Sequence, residues 1–405
     1  MGTQGQGSGP ARVFLHVGSP KTGTTFLQNV LWSQHDTARE QGLLLPGSST
    51  ADHYLANLDL RGLSAQEHHP DRAVGMWRRL VDEALAWDGD VLITHELFAG
   101  ATADHAAAAV AAFGPETEVH LVVTARDLVR QVPAEWQERI KHRRTATFPE
   151  FVDDLVARTG EATWFWEVHD YAALVRRWGS TLPPERVHVV TVPGSGAGSS
   201  LLWERFAGLL GLDPASFDLT RSRANRSLGA EQVELLRRVN AALGDALPHP
   251  GPYSVDVKTM LAQRVLVEHP GTRLRLSPED RALAVQWSRD VARELERLGV
   301  DVVGDLAELV PPEGDPEADP TAPTLRDEVS DERLLAESVA ALVGVLDEHR
   351  ERRAERDNAR RQLQKVRAEL AQARRALAEA QAQQPESEAA PPARGLAGRL
   401  RRTRE

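Results

Sequence analysis

The chain has 405 residues, 41% of them apolar, a net charge of −11 and no cysteine. That is enough for a sizeable core in one large domain or two smaller ones, and it excludes disulfides, thiolate metal sites and thiol nucleophiles. The acidic balance argues against nonspecific binding of nucleic acid, which needs a basic surface.

The opening residues MGTQGQGSGPAR are polar and Gly-rich, with no apolar run behind a basic start. No later stretch approaches the roughly 20 apolar residues of a membrane span. A disordered start over 1–11 and a cytoplasmic location are therefore expected. From 12 to 310, short apolar runs alternate with amphipathic stretches. VFLHV (13–17), VLITH (91–95), VHLVVTA (119–125) and VHVVTV (187–192) are β-branched runs bounded by turn residues and read as buried strands. Between and after them, TTFLQNVLWSQHDTAREQG, RAVGMWRRLVDEALAW, DLVRQVPAEWQERIKHRR, YAALVRRWG, SLLWERFAGLLG, EQVELLRRVNAAL and PEDRALAVQWSRDVARELERLG repeat apolar residues at helical spacing. The fold class is α/β: a mostly parallel, P-loop-like sheet flanked by helices on both faces.

At 311 the composition turns to Pro and acid (PPEGDPEADPTAPT), which marks a linker over 311–328 and the end of the α/β domain. Residues 329–384 read as a coiled-coil helix, with Ala359, Leu363, Val366, Leu370, Ala373, Leu377 and Ala380 at alternating four and three residue steps. Such a seam favours a homo-oligomer. Extended backwards it meets Arg356, Arg352 and His349, so the coil is interrupted or shifts register there. Residues 385–405 form a basic tail expected to be disordered.

Function is carried by HVGSPKTGTTFLQ (16–28). Gly18, Gly23 and Thr25 keep the spacing of the nucleotide loop G-x-x-x-x-G-K-[ST], but Thr24 stands where the lysine belongs and the lysine is at position 21. Only four of the 48 cations are lysines, Lys21, Lys141, Lys258 and Lys365, so a loop lysine stands out in an arginine-rich chain. Its ammonium is a compact point charge, where guanidinium is a planar fork. A strand runs into the loop and a helix follows from near Thr24, so the N–H groups of Thr22 to Thr25 meet a ligand at the positive end of a helix. Gly18 and Gly23 let the backbone turn and approach a phosphate, the hydroxyls of Thr24 and Thr25 add donors, and Pro20 stiffens the turn. The pattern specifies a phosphate-bearing ligand and leaves its identity open.

The run G-S-P-K-T-G-T-T-F-L resembles the 5′-phosphosulfate loop of sulfotransferases that use 3′-phosphoadenosine-5′-phosphosulfate (PAPS). The resemblance implies that Gly18, Ser19, Pro20, Lys21, Thr22, Gly23, Thr24 and Thr25 bind this donor. It also implies that Lys21 contacts the oxygen bridging sulfur and phosphorus. No metal is expected, since the strand VLITH continues into Glu96 with no aspartate for magnesium. A second family element has an arginine at a strand end and a serine eight residues on, for the 3′-phosphate. Arg126 matches the first position; Ala134 replaces the serine. Recognition of that phosphate then falls to Arg126 with Arg130 or Gln131, to backbone N–H groups, or is weaker. RSRANRSLG (221–229) is similar in position to the family's C-terminal basic loop, which adds Arg223, Asn225 and Arg226 as candidates, while Ser227 and Gly229 equally suit a helix cap.

For acceptor activation a base is needed at a strand end. His95 resembles the histidine of the small-molecule enzymes and Glu96 the glutamate of the polysaccharide-modifying branch; alternation along a strand leaves one of them facing the acceptor, and Glu96 is preferred. WFWEVHDY (164–171) either lines an acceptor cleft or is core, and His68 and His69 receive no role. The expected function is transfer of a sulfuryl group from PAPS to a hydroxyl or amine of a glycan or other small molecule. The alternatives are a metal-dependent P-loop kinase and a coiled-coil scaffold with a degenerate α/β domain, which Ala134 keeps open.

Overall fold

Six strands, β1 (Arg12–Gly18), β2 (Leu43–Leu44), β3 (Asp90–Thr94), β4 (Glu118–Ala125), β5 (Val187–Thr191) and β6 (Asp301–Val303), form one sheet in the order β2-β3-β1-β4-β5-β6. Its five pairings are all parallel. The computed structural model describes residues 9–66, 70–160, 162–194, 197–221, 227–249, 251–312 and 323–382. The four long strands fall where the β-branched runs predict them. The two edge strands, two and three residues long, are too short to leave a periodic signal.

Side-chain alternation divides the core between the two faces of the sheet. Val13, Leu15 and Val17 pack on one face with Leu58, Leu80 and Leu174, while Phe14 packs on the other with Leu27, Leu31, Trp203 and Phe206. Two predicted helices are each divided in two. Gln34 separates Thr24–Ser33 from His35–Glu40. Gly75, at φ 76°, separates Pro70–Ala73 from Met76–Leu85. Because β1 lies between β3 and β4, the chain order reverses direction at β1, the switch point beside which such sheets place their ligands.

The strands are also tied by polar groups sealed inside the sheet. His16 of β1 is fully buried. Its Nδ1 lies 2.7 Å from the Thr94 hydroxyl on β3 and its Nε2 lies 3.3 Å from the Thr124 hydroxyl on β4. His53, also fully buried, accepts the Thr94 N–H at Nδ1 (3.1 Å) and donates from Nε2 to the Pro46 carbonyl (2.8 Å). At the far end of the sheet, His120 and His188 stack and share a 2.8 Å hydrogen bond. Glu118 (2.8 Å) and Asp301 (2.6 Å) lie on their outer nitrogens, which joins β4, β5 and β6.

Composition puts the end of the domain at 310, yet the packing continues further. A first compact unit extends to Val345. Leu325 donates its N–H to the Arg275 carbonyl, and Arg326 makes two hydrogen bonds to Asp280, at 2.7 and 2.6 Å. The long helix Asp331–Ala382 begins on this unit with Leu334, Glu337 and Ala341 buried. Glu337 accepts hydrogen bonds from Gln232 and His269, both at 2.7 Å. A Cβ on Gly344 would come within 2.5 Å of Val265, so the helix lies close at that point. Residues 313–322 of the expected linker, and the tail from 383, lie outside the described residues. The second unit starts at Leu346; its described part is helix to Ala382 with the seam residues Leu363, Val366, Leu370 and Leu377 exposed.

Burial holds the His16 imidazole down to about 3 and the His53 imidazole down to about 4, from an ordinary 6.5. Both are neutral in the folded protein at neutral pH. In the unfolded chain each takes a proton near 6.5, so the unfolded state gains protons that the folded state refuses as pH falls from 6.5 towards those values. Their contribution to stability is complete above 6.5 and is lost below it, at about 1.4 kcal/mol per pH unit for each group. Urea unfolding at pH 7, 6 and 5 should show this decline, and His53→Gln should reduce the slope by about that amount; equal slopes for parent and variant would refute it.

Candidate functional site

Three strand-end loops meet above β1: residues 18–23 after β1, the turn Glu96–Gly100 after β3, and Arg126–Asp127 after β4. The pairing of β1 with β4 shifts register between His16 and Gly18, a bulge that re-aims the strand end. Gly18 has φ 112°, and a Cβ there would lie 2.7 Å from the Glu96 carbonyl oxygen and 2.9 Å from its Cα. Only glycine lets these two loops touch. Gly23, at φ 88°, occupies the N-cap of the helix Thr24–Ser33, where no side chain accepts from the first N–H groups and no acidic residue stands in the first turn. The positive end of that helix therefore has no capping side chain.

Within the loop the hydroxyls divide by role. Ser19 and Thr22 are fully buried and brace the loop from below: Ser19 donates to the Val168 carbonyl, and Thr22 donates to the Ser19 carbonyl and meets the Thr124 hydroxyl, both at 2.5 Å. Thr24 is buried and Thr25 exposed, which gives Thr25 the open hydroxyl. The loop carbonyls are held from outside. Gln131 donates to Pro20 O (2.7 Å) and Arg126 Nη1 to Lys21 O (3.2 Å).

Arg126 is the cation with spare capacity. Its Nε is buried with no hydrogen-bond partner, and its backbone is fixed by Tyr171, whose hydroxyl donates to Arg126 O at 2.9 Å and accepts from its N–H at 3.2 Å. Burial, then the neighbouring Arg130, lower the pKa of this guanidinium, with Asp127 acting against them. Arg130 is committed elsewhere, to Asp127 and to the carbonyls of Pro193 (2.9 Å) and Val192 (3.3 Å). Ala134 lies on the helix Leu128–Lys141 and is half-buried. Arg223, Asn225 and Arg226 lie outside the described residues, as do His68 and His69. Gly229 is the N-cap of the helix Ala230–Leu243, and its N–H is taken by Gln232 (2.9 Å).

His95 and Glu96 diverge because β3 ends at Thr94 and a tight turn begins. Glu96 faces the loop helix and accepts from Gln28 Nε2 at 3.2 Å. Burial works against its charge, but His95, its own backbone N–H and Gln28 keep the carboxyl below the usual carboxylate range. His95 turns towards Tyr54, with ring centroids 5.5 Å apart. Its Nδ1 accepts the Leu97 N–H at 3.2 Å, and burial lowers its pKa, so the neutral ring carries its proton on Nε2. One neighbour is an ionised acceptor and the other a neutral donor. Of the aromatic stretch, Phe165 and Trp166 are core, whereas Trp164 stands against Gly100 of the same turn, where a Cβ would come within 2.5 Å of its ring.

Sequence reading missed a second group at the loop. Lys21 Nζ is 2.6 Å from Glu138 Oε2, and Lys258 (3.2 Å), His142 (3.1 Å) and Lys141 (3.8 Å) stand around the same carboxylate. Burial works against its charge, but His142 and the three lysines hold the Glu138 carboxyl well below the usual range. The scarcity of lysine was the one available signal; Lys21 and Glu138 are 117 positions apart. A groove of about 540 Å³ lined by Gln286, Arg289, Arg293, Asp305 and Val310 shares no residue with either group.

Among the described residues, no three His, Asp or Glu side chains form a metal-holding group, and no helix is long and apolar enough to cross a membrane. No protein-family model and no curated protein matches the chain. Among solved structures it is similar to the crystal structure of a sulfotransferase from Alicyclobacillus acidocaldarius, at 16% identity and a TM-score of 0.39 over 71% of this chain and 94% of that one.

Proposed function

We propose that this protein transfers a sulfuryl group from PAPS to a hydroxyl or amine of a glycan or other small-molecule acceptor. The observation that carries the reading is the single lysine of the loop, Lys21, beside an open helix N-terminus and the half-buried Arg126, whose Nε is buried without a partner. A donor with two anionic groups suits two cations on adjoining loops. Lys21 and the N–H groups of Thr22 to Thr25 would hold the phosphosulfate, and Arg126 would hold the 3′-phosphate in the absence of a serine at 134.

In the reaction the acceptor oxygen or nitrogen attacks sulfur in line, and the bond from sulfur to the bridging oxygen breaks with its electron pair leaving on adenosine 3′,5′-bisphosphate. Glu96 takes the proton released by the acceptor. His95 presents an N–H and so serves as a hydrogen-bond donor beside the acceptor. Lys21 exchanges its bond to Glu138 for the bridging oxygen, where its charge stabilises the leaving group as negative charge develops.

Thermal denaturation tests the donor. Adenosine 3′,5′-bisphosphate at about 100 times its Kd should add about 2.7 kcal/mol and raise Tm by several degrees, whereas ATP with magnesium should not. Stabilisation by ATP with magnesium alone would favour the kinase reading, and by neither the scaffold. Release of the bisphosphate in the presence of an acceptor panel should fall about 10²- to 10³-fold in Lys21→Ala and about 10²- to 10⁴-fold in Glu96→Gln. A Lys21→Ala protein as fast as the parent would overturn the mechanism.

We also propose that the exposed seam Leu363, Val366, Leu370, Leu377 pairs with a second copy of the chain. Sedimentation equilibrium should give an oligomer for the parent and a monomer for the double substitution Leu363→Asp, Leu370→Asp; a monomeric parent would refute the pairing.

A further inference from the structure

Three of the four lysines of this chain, Lys21, Lys141 and Lys258, converge on the single carboxylate of Glu138. They come from different elements: the loop after β1, the last residue of the helix Leu128–Lys141, and the π-wound segment Ser254–Val265. One carboxylate thus faces three ammonium groups; His142 also hydrogen-bonds the Lys258 ammonium, and its ring lies with its centroid 5.5 Å from that of His249. The side chains of Lys21, Lys258 and Glu138 are partly open to solvent, so the member that stands out is Lys141, buried and short of a partner. Lys141 is 8% exposed, and its Nζ stands 3.8 Å from the carboxylate, beyond hydrogen-bond distance. Burial, then the nearby Lys21, push this ammonium down to about 8, as happens when cations are crowded without enough anions.

We propose that Lys141 and Lys258 form a second anion subsite beside the loop, which recognises an acidic group, a carboxylate or sulfate ester, on the acceptor. The inference rests on the reading of the Lys21 loop as the donor site. An acceptor bearing such a group brings negative charge close to a negative donor, and the ammonium groups of Lys141 and Lys258 offset that repulsion. In the free protein Glu138 stands in for the missing anion. It therefore competes with the acceptor's acidic group for both lysines.

The test uses the full chain saturated with adenosine 3′,5′-bisphosphate and titrated by calorimetry with inorganic sulfate at constant ionic strength, then with glucuronate and glucose. Sulfate should bind saturably, glucuronate should displace it, and glucose should not. Lys141→Gln and Lys258→Gln should each weaken sulfate about tenfold or more while the bisphosphate Kd stays within twofold, and Glu138→Gln should strengthen it. Lys258→Gln, on the more exposed side chain, carries the test if Lys141→Gln does not fold. The subsite is overturned if the loaded parent does not bind sulfate, or if Glu138→Gln weakens binding like the lysine variants, as a purely structural network would. It is equally overturned if binding survives in the lysine variants and is lost only in Lys21→Ala, which would assign the anion to the donor's own sulfuryl position. Failure of the bisphosphate itself to bind would refute the donor reading, and the subsite with it.

Discussion

The architecture of the site depends on one uncharged imidazole in the middle of the sheet. His16 connects β3 and β4 through β1, and its hydrogen bonds fix the direction of a relay of donors. Gln28 donates to Thr94, Thr94 to His16 Nδ1, His16 Nε2 to Thr124, Thr124 to Thr22, and Thr22 to the Ser19 carbonyl. Each hydroxyl has one proton to give, so Thr22 and Thr124 place a His16 proton on Nε2, and a neutral ring then accepts from Thr94 at Nδ1. Burial enforces that state. The relay ends inside the loop that carries Lys21 and starts at the glutamine that holds Glu96, so both sides of the proposed chemistry are braced by the same chain of bonds.

Around this centre the charges are arranged by depth. In the sheet around His16, the uncharged groups of His16, Thr94, Thr124 and Thr22 pair with one another. At the rim, charged groups appear in an arrangement that is short of partners: Arg126 lacks one for Nε, three lysines share Glu138, and the helix after Gly23 has no capping side chain. Interior groups that are fully satisfied hold a shape, whereas rim groups that are under-satisfied favour an incoming anion. The loop can be rigid and receptive at once because these tasks fall to different side chains, Ser19 and Thr22 facing inward, Lys21 and Thr25 facing out.

Much of this was legible in the sequence. Four β-branched runs gave four strands, and the spacing of Gly18, Lys21 and Gly23 located a loop whose geometry suits an anion. Strand alternation could not decide between His95 and Glu96, because β3 stops at Thr94 and alternation stops with it; their difference comes from Leu97, Gln28 and Tyr54, which are distant in sequence or hidden in a turn. Glu138 was invisible as well, an ordinary acidic residue in a charged helix until folding brings lysines from either side of it in sequence to its carboxylate. The boundary of the α/β unit was misplaced for a related reason. The Pro-rich stretch from 311 is a strong change in composition, and it masks the fact that Leu325, Leu334 and Ala341 beyond it return to the core.

Gln232 gives that return a practical meaning. Its side-chain oxygen takes the N–H of Gly229, and its nitrogen donates to Glu337 and to the Pro270 carbonyl. One amide thus clamps the start of the helix Ala230–Leu243 to a helix a hundred residues downstream. Trimming the gene at codon 310 to obtain a minimal α/β unit would leave that amide and His269 without Glu337; the sensible place to cut is after Val345.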